Sequence, residues 1–347
     1  MQLALNRWYA IFSSAELPAG RTLAGKRLGL ELVAWRDAQG KVSLSVDRCP
    51  HRGVKLSPGR VIDGCVECPF HGFRFDGGGA CTSIPAHPDR PIPGAMSLTT
   101  IPDRDEHGLI WAWVGGGPPP DGPIPFFDLK GWSYTGSEFI EPVACHYTRA
   151  VENQLDMAHL PFVHRSSIGR GMPPAMDVLT EVDGDAIHFR SRTDPNGSID
   201  FIGPNVWRLN LGFSYGFLVM APVDDHSMVY YSRAYQRSLR WGPLAWLMGA
   251  FNRVANRFIL RQDSALVESH APGESRLRAG EVLVPSDGPI IAYRRWREAL
   301  RGEFDPTDSR RRRRIGAAGG AGAPNGPDDG DDHPPSQHDP GDAAAAR

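Results

Sequence analysis

No run of 18 or more uncharged apolar residues occurs in this chain of 347 residues, so no membrane-spanning helix is expected. The longest apolar patch, Pro243–Phe251, is too short to span. Basic excess is missing as well: 38 Lys and Arg stand against 40 Asp and Glu, a net charge of −2. That excludes the electrostatic footprint of a nucleic-acid binder. Met1 to Phe12, interrupted by Asn6 and Arg7, lacks a signal-peptide layout, and a cytoplasmic protein is expected. No G-x-G-x-x-G fingerprint is found, so the chain has no such site for a nucleotide of its own. Cysteine is scarce. Five in a chain of this size make no disulfide framework, and spaced intracellular cysteines more often hold metal. Apolar residues, by contrast, make up 41%, enough for sizeable cores in about two domains at roughly 150 residues each.

Short strand signals dominate the first third. Leu28–Trp35, Val42–Val46 and Leu109–Val114 are separated by Gly, Pro and Asp turns, which predicts a small antiparallel sandwich. Gly115–Pro125 (GGGPPPDGPIP) reads as a linker, giving domains over 1–118 and 119–308. The second is mixed. Trp207, Leu209, Leu211, Phe213, Tyr215 and Phe217 alternate with smaller or polar residues, the period-two signature of a strand, with Met228–Tyr235 as its partner. Leu247, Phe251, Val254 and Phe258 recur at helical spacing and predict a long helix over about 244–270. The whole is expected to be α+β. Residues 309–347 carry five consecutive arginines, Arg310–Arg314, and six Asp after 327 but few large apolar residues, so a disordered tail is expected there.

Four of the five cysteines, Cys49, Cys65, Cys68 and Cys81, fall within 33 residues, and His51 and His71 lie among them. Cys49-Pro50-His51 is followed by Cys68-Pro69-Phe70-His71. Each half offers one thiolate and one imidazole, so two loops are expected to face a shared metal site. A single tetrahedral zinc would accept this set. So would a [2Fe–2S] cluster with two cysteines on one iron and two histidines on the other, and pairing each cysteine with its own histidine suits two irons better. Cys65 and Cys68 form a Cys-x2-Cys, which leaves zinc open at this point.

The stretch CPHRG…CPFHGFRFD resembles the cluster-binding motif of Rieske proteins. The resemblance implies that Cys49 and Cys68 hold one iron and His51 and His71 the other. The respiratory branch of that family has a disulfide and sulfur-directed Ser and Tyr hydroxyls. The matching positions here are Val54 with Phe70, and Phe73 with Phe75. With no such donors, a potential at the low end of the Rieske range is expected. Cys65 and Cys81 are spare and are expected to be small buried hydrophobic side chains. Arg48, Arg52, Lys55 and Arg60 offer either a dock for an acidic ferredoxin or ordinary surface charge.

A second polar set stands at VENQLDMAHLPFVH (151–164). Val151 to His159 has a helical pattern that Pro161 would end or kink. Asn153, Asp156 and His159, three apart, would share one helix face, with His164 beyond the proline. Two histidines and one carboxylate make the facial triad of non-haem Fe(II) oxygenases. The carboxylate candidates are Asp224, Asp225, Asp263, Glu268 and Glu274. Periodicity selects none of them, since Asp263 falls at the margin of the apolar stripe of the long helix.

ENQLDMAHLPFVH resembles the mononuclear-iron motif of the Rieske oxygenase alpha subunits, and RQDSALVESH resembles their downstream carboxylate segment. By that resemblance His159, His164 and Asp263 are the iron ligands. Asp156 is the aspartate that bridges His159 to His71 of the neighbouring subunit and carries electrons between sites. Asn153 is a further catalytic candidate. The implied fold is an N-terminal all-β Rieske domain followed by a helix-grip catalytic domain, an antiparallel sheet wrapped on a long helix. The implied assembly is a homotrimer, fed with NAD(P)H electrons by a separate ferredoxin or ferredoxin reductase. The implied chemistry is O2-dependent hydroxylation or oxidative demethylation of an apolar or aromatic small molecule, with Trp207, Leu211, Phe213, Tyr215 and Phe217 near it. Alternatives are a ring-dihydroxylating dioxygenase, a Rieske electron carrier without oxygenase chemistry, and a zinc-stabilised binding module.

Overall fold

A computed structural model describes residues 1–134, 136–192, 197–237 and 242–307. The tail expected over 309–347 lies outside the described residues. Val42–Val46 and Leu109–Val114 form strands with the boundaries read from the sequence. The first strand signal begins two residues later, as Leu30–Arg36, because Leu28 (φ 57°) and Gly29 (φ 79°) make the turn that joins it to Thr22–Arg27. Two successive positive φ values match the twist of a tight hairpin.

Residues 7–114 build three antiparallel sheets. Arg7–Ser13 pairs with Leu109–Val114, and Thr22–Arg27, Leu30–Arg36 and Val42–Val46 form the second sheet. The third, from Arg60–Ile62 to Cys81–Ser83, carries the cysteine-rich segment. The later half forms an eight-stranded antiparallel sheet. Its strand Met228–Gln236 pairs with Phe139–Val143 and with Ser214–Pro222. Beyond these the sheet continues through Val206–Asn210, Ser198–Ile202, Ala186–Ser191 and Val178–Asp183. One face packs against helices α1 (Tyr147–Leu155), α3 (Gly242–Val267) and α4 (Gly288–Leu300). The other packs on Trp8, Trp111 and Trp113 of the first sheet. This is the expected α+β arrangement, an all-β first part and a sheet gripping a long helix.

Three local expectations are corrected. The alternating run 207–217 is not one strand but the hairpin Val206–Asn210/Ser214–Pro222, with Phe213 exposed near its turn. The turn changes the pairing of faces: Trp207 and Leu209 pack with the helices, whereas Tyr215 and Phe217 join the cluster around Trp111. The first helix begins at Tyr147, capped by His146, and stops at Leu155. Asp156 is its C-cap, and the Ala158 backbone N–H donates to Asp156 Oδ1 at 2.7 Å. That local bond competes with another helical turn. Pro161 therefore opens a second short helix, α2 (Leu160–Val163), rather than ending the first, as suits a residue with fixed φ and no N–H.

The third correction concerns the orientation of α3. An apolar stripe on a helix ordinarily faces a core, but Leu247, Phe251, Val254 and Phe258 are 56–70% exposed. The inward face carries Asn252, Asn256, Ile259, Leu260, Asp263 and Val267.

A buried ionic network fastens α1 to α4 and to the segment after α3. Glu152 accepts from Arg149 at 2.8 Å and from Arg294 at 2.5 Å, and Arg294 also pairs with Glu281 at 2.5 Å. Arg297 donates to Glu274 at 2.7 Å and to the Gln2 carbonyl at 3.0 Å.

Asp103 yields a pH prediction. Burial pushes its carboxyl up to about 7, against the Leu44 N–H and Lys41, which favour the anion, and with Asp105, which does not. The folded state therefore holds this proton more tightly than the unfolded chain. The associated stability is present below about pH 4 and is lost as pH rises toward 7. Asp103→Asn is expected to stabilise the protein at pH 8 by on the order of 1–2 kcal/mol and to change little at pH 4. Denaturant titrations at the two pH values check this; equal shifts at both would refute it.

Candidate metal centres and substrate cavity

The two cysteine loops repeat one backbone pattern. The Cys49 N–H donates to the Val54 carbonyl at 2.8 Å, and the Gly53 N–H returns to the Cys49 carbonyl at 2.9 Å. The Cys68 N–H donates to the Phe73 carbonyl at 2.8 Å, and the Gly72 N–H returns to the Cys68 carbonyl at 3.0 Å. Each loop turns back on a glycine in the left-handed region, Gly53 at φ 73° and Gly72 at φ 71°, where a side chain is strained. The result sets two buried thiols beside two exposed imidazoles. Cys49 and Cys68 are each 2% exposed, and the His51 and His71 rings lie 4.8 Å apart. Phe73 stacks on His51 at 4.8 Å.

Burial pushes the Cys49 thiol up to about 11, while the N–H groups of His51 and Arg52 directed at its sulfur favour the thiolate and the neighbouring Cys68 opposes it. Two adjacent buried thiolates need a cation between them. The donor set thus fits either an iron–sulfur cluster or zinc. Val54 and Phe70 leave no cysteines for a second pair, and all five cysteines are free. Of the four basic residues nearby, Lys55 pairs with Glu31 at 3.2 Å and Arg60 with Glu67 at 2.6 Å. Arg52 lies over the exposed Phe70 ring at 5.7 Å.

The second site gathers from two helices. His159 leads into α2, His164 ends it, and Asp263 projects from the inward face of α3. Their ligand atoms all lie within 4.8 Å of one another. Asp263 Oδ1 stands 2.9 Å from His164 Nε2 and 3.5 Å from His159 Nε2, yet it is buried and has no aligned hydrogen bond. A buried carboxylate oxygen facing two ring nitrogens with no aligned hydrogen bond is what a metal ion would satisfy.

The second ring atoms are also placed. His164 Nδ1 is 2.9 Å from the Gln262 amide oxygen, an acceptor that selects the tautomer with its proton on Nδ1 and frees Nε2 to ligate. Asp156 Oδ2 lies 3.4 Å from His159 Nδ1, close to that ring but short of hydrogen-bond alignment. Of the carboxylates left open by sequence, Asp224 pairs with Lys26 at 2.8 Å and Glu274 with Arg297 at 2.7 Å, both away from this cluster. Glu268 is also outside the cluster and accepts from the Ala144 N–H at 3.3 Å.

His159, His164, Asp263 and Asp156 line a cavity of about 190 Å³ between α3 and the sheet. Its walls are mainly apolar and include Leu160, Ile199, Trp207, Leu209 and Leu260. Asn153 borders it, its side-chain Nδ2 buried and unpartnered. Leu211, Tyr215 and Phe217 also border it, whereas Phe213 does not.

Comparison with known proteins adds to this geometry. The Rieske [2Fe–2S] domain profile matches residues 7–102, and the profile of the vanillate O-demethylase oxygenase C-terminal domain matches residues 143–202. The first part of the chain is thus a Rieske [2Fe–2S] domain, and the later segment is similar to the oxygenase C-terminal domain of vanillate O-demethylase. Chlorophyllide a oxygenase of Chlamydomonas reinhardtii is 36% identical over 48% of this chain and 26% of its own length. The oxygenase component of dicamba O-demethylase from Stenotrophomonas maltophilia is 34% identical over 48% of this chain and 49% of its own. The chain thus spans half or less of these curated relatives. The solved structure of NdmA from Pseudomonas putida CBB5 superposes with a TM-score of 0.71, at 23% identity, over 84% of this chain and 88% of that one. It shares the fold.

The Rieske match decides between cluster and zinc for the first loop pair. It also sharpens the expected potential. Since no hydroxyl side chain stands at 73 or 75, the midpoint should lie near the low end of the Rieske range, about −150 mV. Phe75→Tyr should raise it, as followed by a redox titration of the reduced-cluster EPR signal. An unmodified midpoint above about +100 mV would contradict this. Sequence reasoning missed Gln262, although it directly precedes Asp263 in the matched segment, and it missed Asn252 and Asn256. Nothing in a single sequence distinguishes those amides from solvent-facing ones. Among the described residues no helix is long and apolar enough to cross a membrane.

Proposed function

We propose that this protein is the oxygenase component of a Rieske non-haem iron system. It would use O2 to hydroxylate, or oxidatively demethylate, an apolar or aromatic small molecule. The observation that carries this reading is the convergence of His159, His164 and Asp263, with an unsatisfied carboxylate oxygen, at the wall of an apolar cavity. An electron carrier would have no use for that arrangement. Vanillate and dicamba O-demethylation, named for relatives, are reactions of the same class.

In this reading Cys49, Cys68, His51 and His71 hold the [2Fe–2S] cluster, and His159, His164 and Asp263 hold Fe(II). When bound, the two groups supply single-electron delivery and O2 activation. The protein's own contributions are positional. Gln262 and Asp156 fix the orientation and tautomer of the two ligand rings. The apolar walls exclude water and hold the substrate's carbon skeleton against the open side of the triad. Asp156 remains partly exposed, so its outer edge is available to His71 of the partner subunit in the proposed homotrimer. One oxygen atom enters a substrate C–H bond. The other leaves as water with two electrons and two protons, the electrons coming from NAD(P)H through a separate ferredoxin or reductase. Where the C–H belongs to an O- or N-methyl group, the resulting hydroxymethyl group breaks down to formaldehyde. Asn153, beside the triad with a free donor, is assigned to orienting the reacting species.

One spectrum tests the assignment. Anaerobically purified, dithionite-reduced protein treated with nitric oxide should show a Rieske EPR signal and a high-spin iron–nitrosyl signal. A Rieske signal alone, unchanged after reconstitution with Fe(II), would leave an electron carrier. A colourless, zinc-containing sample would overturn both assignments.

A further inference from the structure

The cavity has a polar end that the metal chemistry does not use. Asn252 and Asn256 lie one turn apart on α3 and both line the cavity. At 100° per residue they fall within about 40° of Asp263 on the helix, so the three share one face. Neither carboxamide has a hydrogen-bond partner among the described residues. Asn256 precedes Asp263 by seven residues, about 10 Å of helix axis, and Asn252 precedes it by eleven, about 16 Å. A ring system placed between them would present one edge to the triad and the opposite edge to the amides. Each amide offers a carbonyl acceptor and an N–H donor. Among the described residues, none that lines the cavity is Lys or Arg, while Asp156 and Asp263 are acidic.

We infer that Asn252 and Asn256 are specificity-determining residues, and that the substrate is a neutral aromatic molecule with an amide- or lactam-type edge. This rests on the oxygenase reading above. Two unpartnered amides in an apolar enclosure match a group that both donates and accepts, and they lose hydrogen bonds to water if nothing replaces them. An aromatic carboxylate would bring a charge with no basic partner into the same space, and that desolvation goes uncompensated. The carbon oxidised is the one carried on the ring edge opposite the amide.

The test uses a matched pair, 4-methoxybenzamide and 4-methoxybenzoate, titrated calorimetrically into the full-length, metal-loaded protein. The benzamide should bind at least about 10-fold more tightly. Asn252→Leu combined with Asn256→Leu should bring the two affinities within about 3-fold of each other. Asn256→Lys should favour the benzoate, which guards against a double variant that merely packs badly. Equal affinities in the wild type, including no binding of either compound, overturn the inference. So does a preference that survives the double variant. Formaldehyde release under a surrogate reductase reads the oxygenase assignment separately. A tenfold preference without formaldehyde removes that assignment and leaves the polar end of the cavity standing. Formaldehyde from both compounds at equal affinity does the reverse.

Discussion

Asp263→Ala is expected to remove substrate oxidation while leaving the iron–sulfur chromophore intact. Asp263 is 3% exposed, and its Oδ1 faces both histidine Nε2 atoms. Removing it takes away one of the three proposed ligand atoms and the only anion among them. Loss of a residue that merely supports a ligand already costs 10–100-fold in metal affinity or activity, so loss of the ligand itself should exceed about 100-fold. Three measurements check this together: iron per chain by elemental analysis, the nitrosyl EPR signal, and turnover. Full iron content and turnover in the variant would remove Asp263 from the site. Asp156→Asn makes a useful contrast. It keeps every ligand atom, so both EPR signals should persist. The neutral amide weakens the support of His159 Nδ1 and alters the outer edge offered to the partner subunit. Turnover should fall about 10- to 100-fold. Unchanged turnover would leave Asp156 as an ordinary helix cap.

The largest stability effect is expected at Glu152. Its carboxylate is 5% exposed and accepts from Arg149 and Arg294, themselves 2% and 4% exposed. Glu152→Ala leaves two buried guanidinium groups short of an anion, a change that typically costs 3–5 kcal/mol. At about 2–4 °C per kcal/mol for a domain of this size, Tm should fall by roughly 6–20 °C. Glu281 also pairs with Arg149 and Arg294, so the loss should be partly buffered at neutral pH. The combination with Glu281→Ala should therefore cost more than the sum of the single changes. A Tm shift below about 2 °C for Glu152→Ala would show that the network is redundant. Because α1 also carries Asn153 and ends at Asp156, loosening it should lower iron retention as well as stability.

The cysteine loops were legible because the information is local. Each is a six-residue backbone unit closed by its own hydrogen bonds, and its Cys, His and Gly stand within five positions of one another. Strands such as Val42–Val46 and Leu109–Val114 were legible for a similar reason, since turns bound them on both sides. The run Trp207–Phe217 failed because period two continues unbroken through a tight turn. Gly212 at φ 77° reverses the chain there without disturbing the alternation of residue types.

Asp263 marks the limit of what sequence alone determined. The residues themselves supplied two histidines and a shortlist of carboxylates, and family resemblance chose among them. Helical periodicity did not choose among them, and α3 carries its apolar stripe outward and turns its more polar face to the cavity. Only the tertiary structure brings Asp263 across roughly a hundred residues to His159 and His164, sets Gln262 behind one ring and Asp156 behind the other, and turns Asn252 and Asn256 inward. The physical reason is that a buried polar group is stabilised by its partners in space, and for these residues those partners lie far away along the chain.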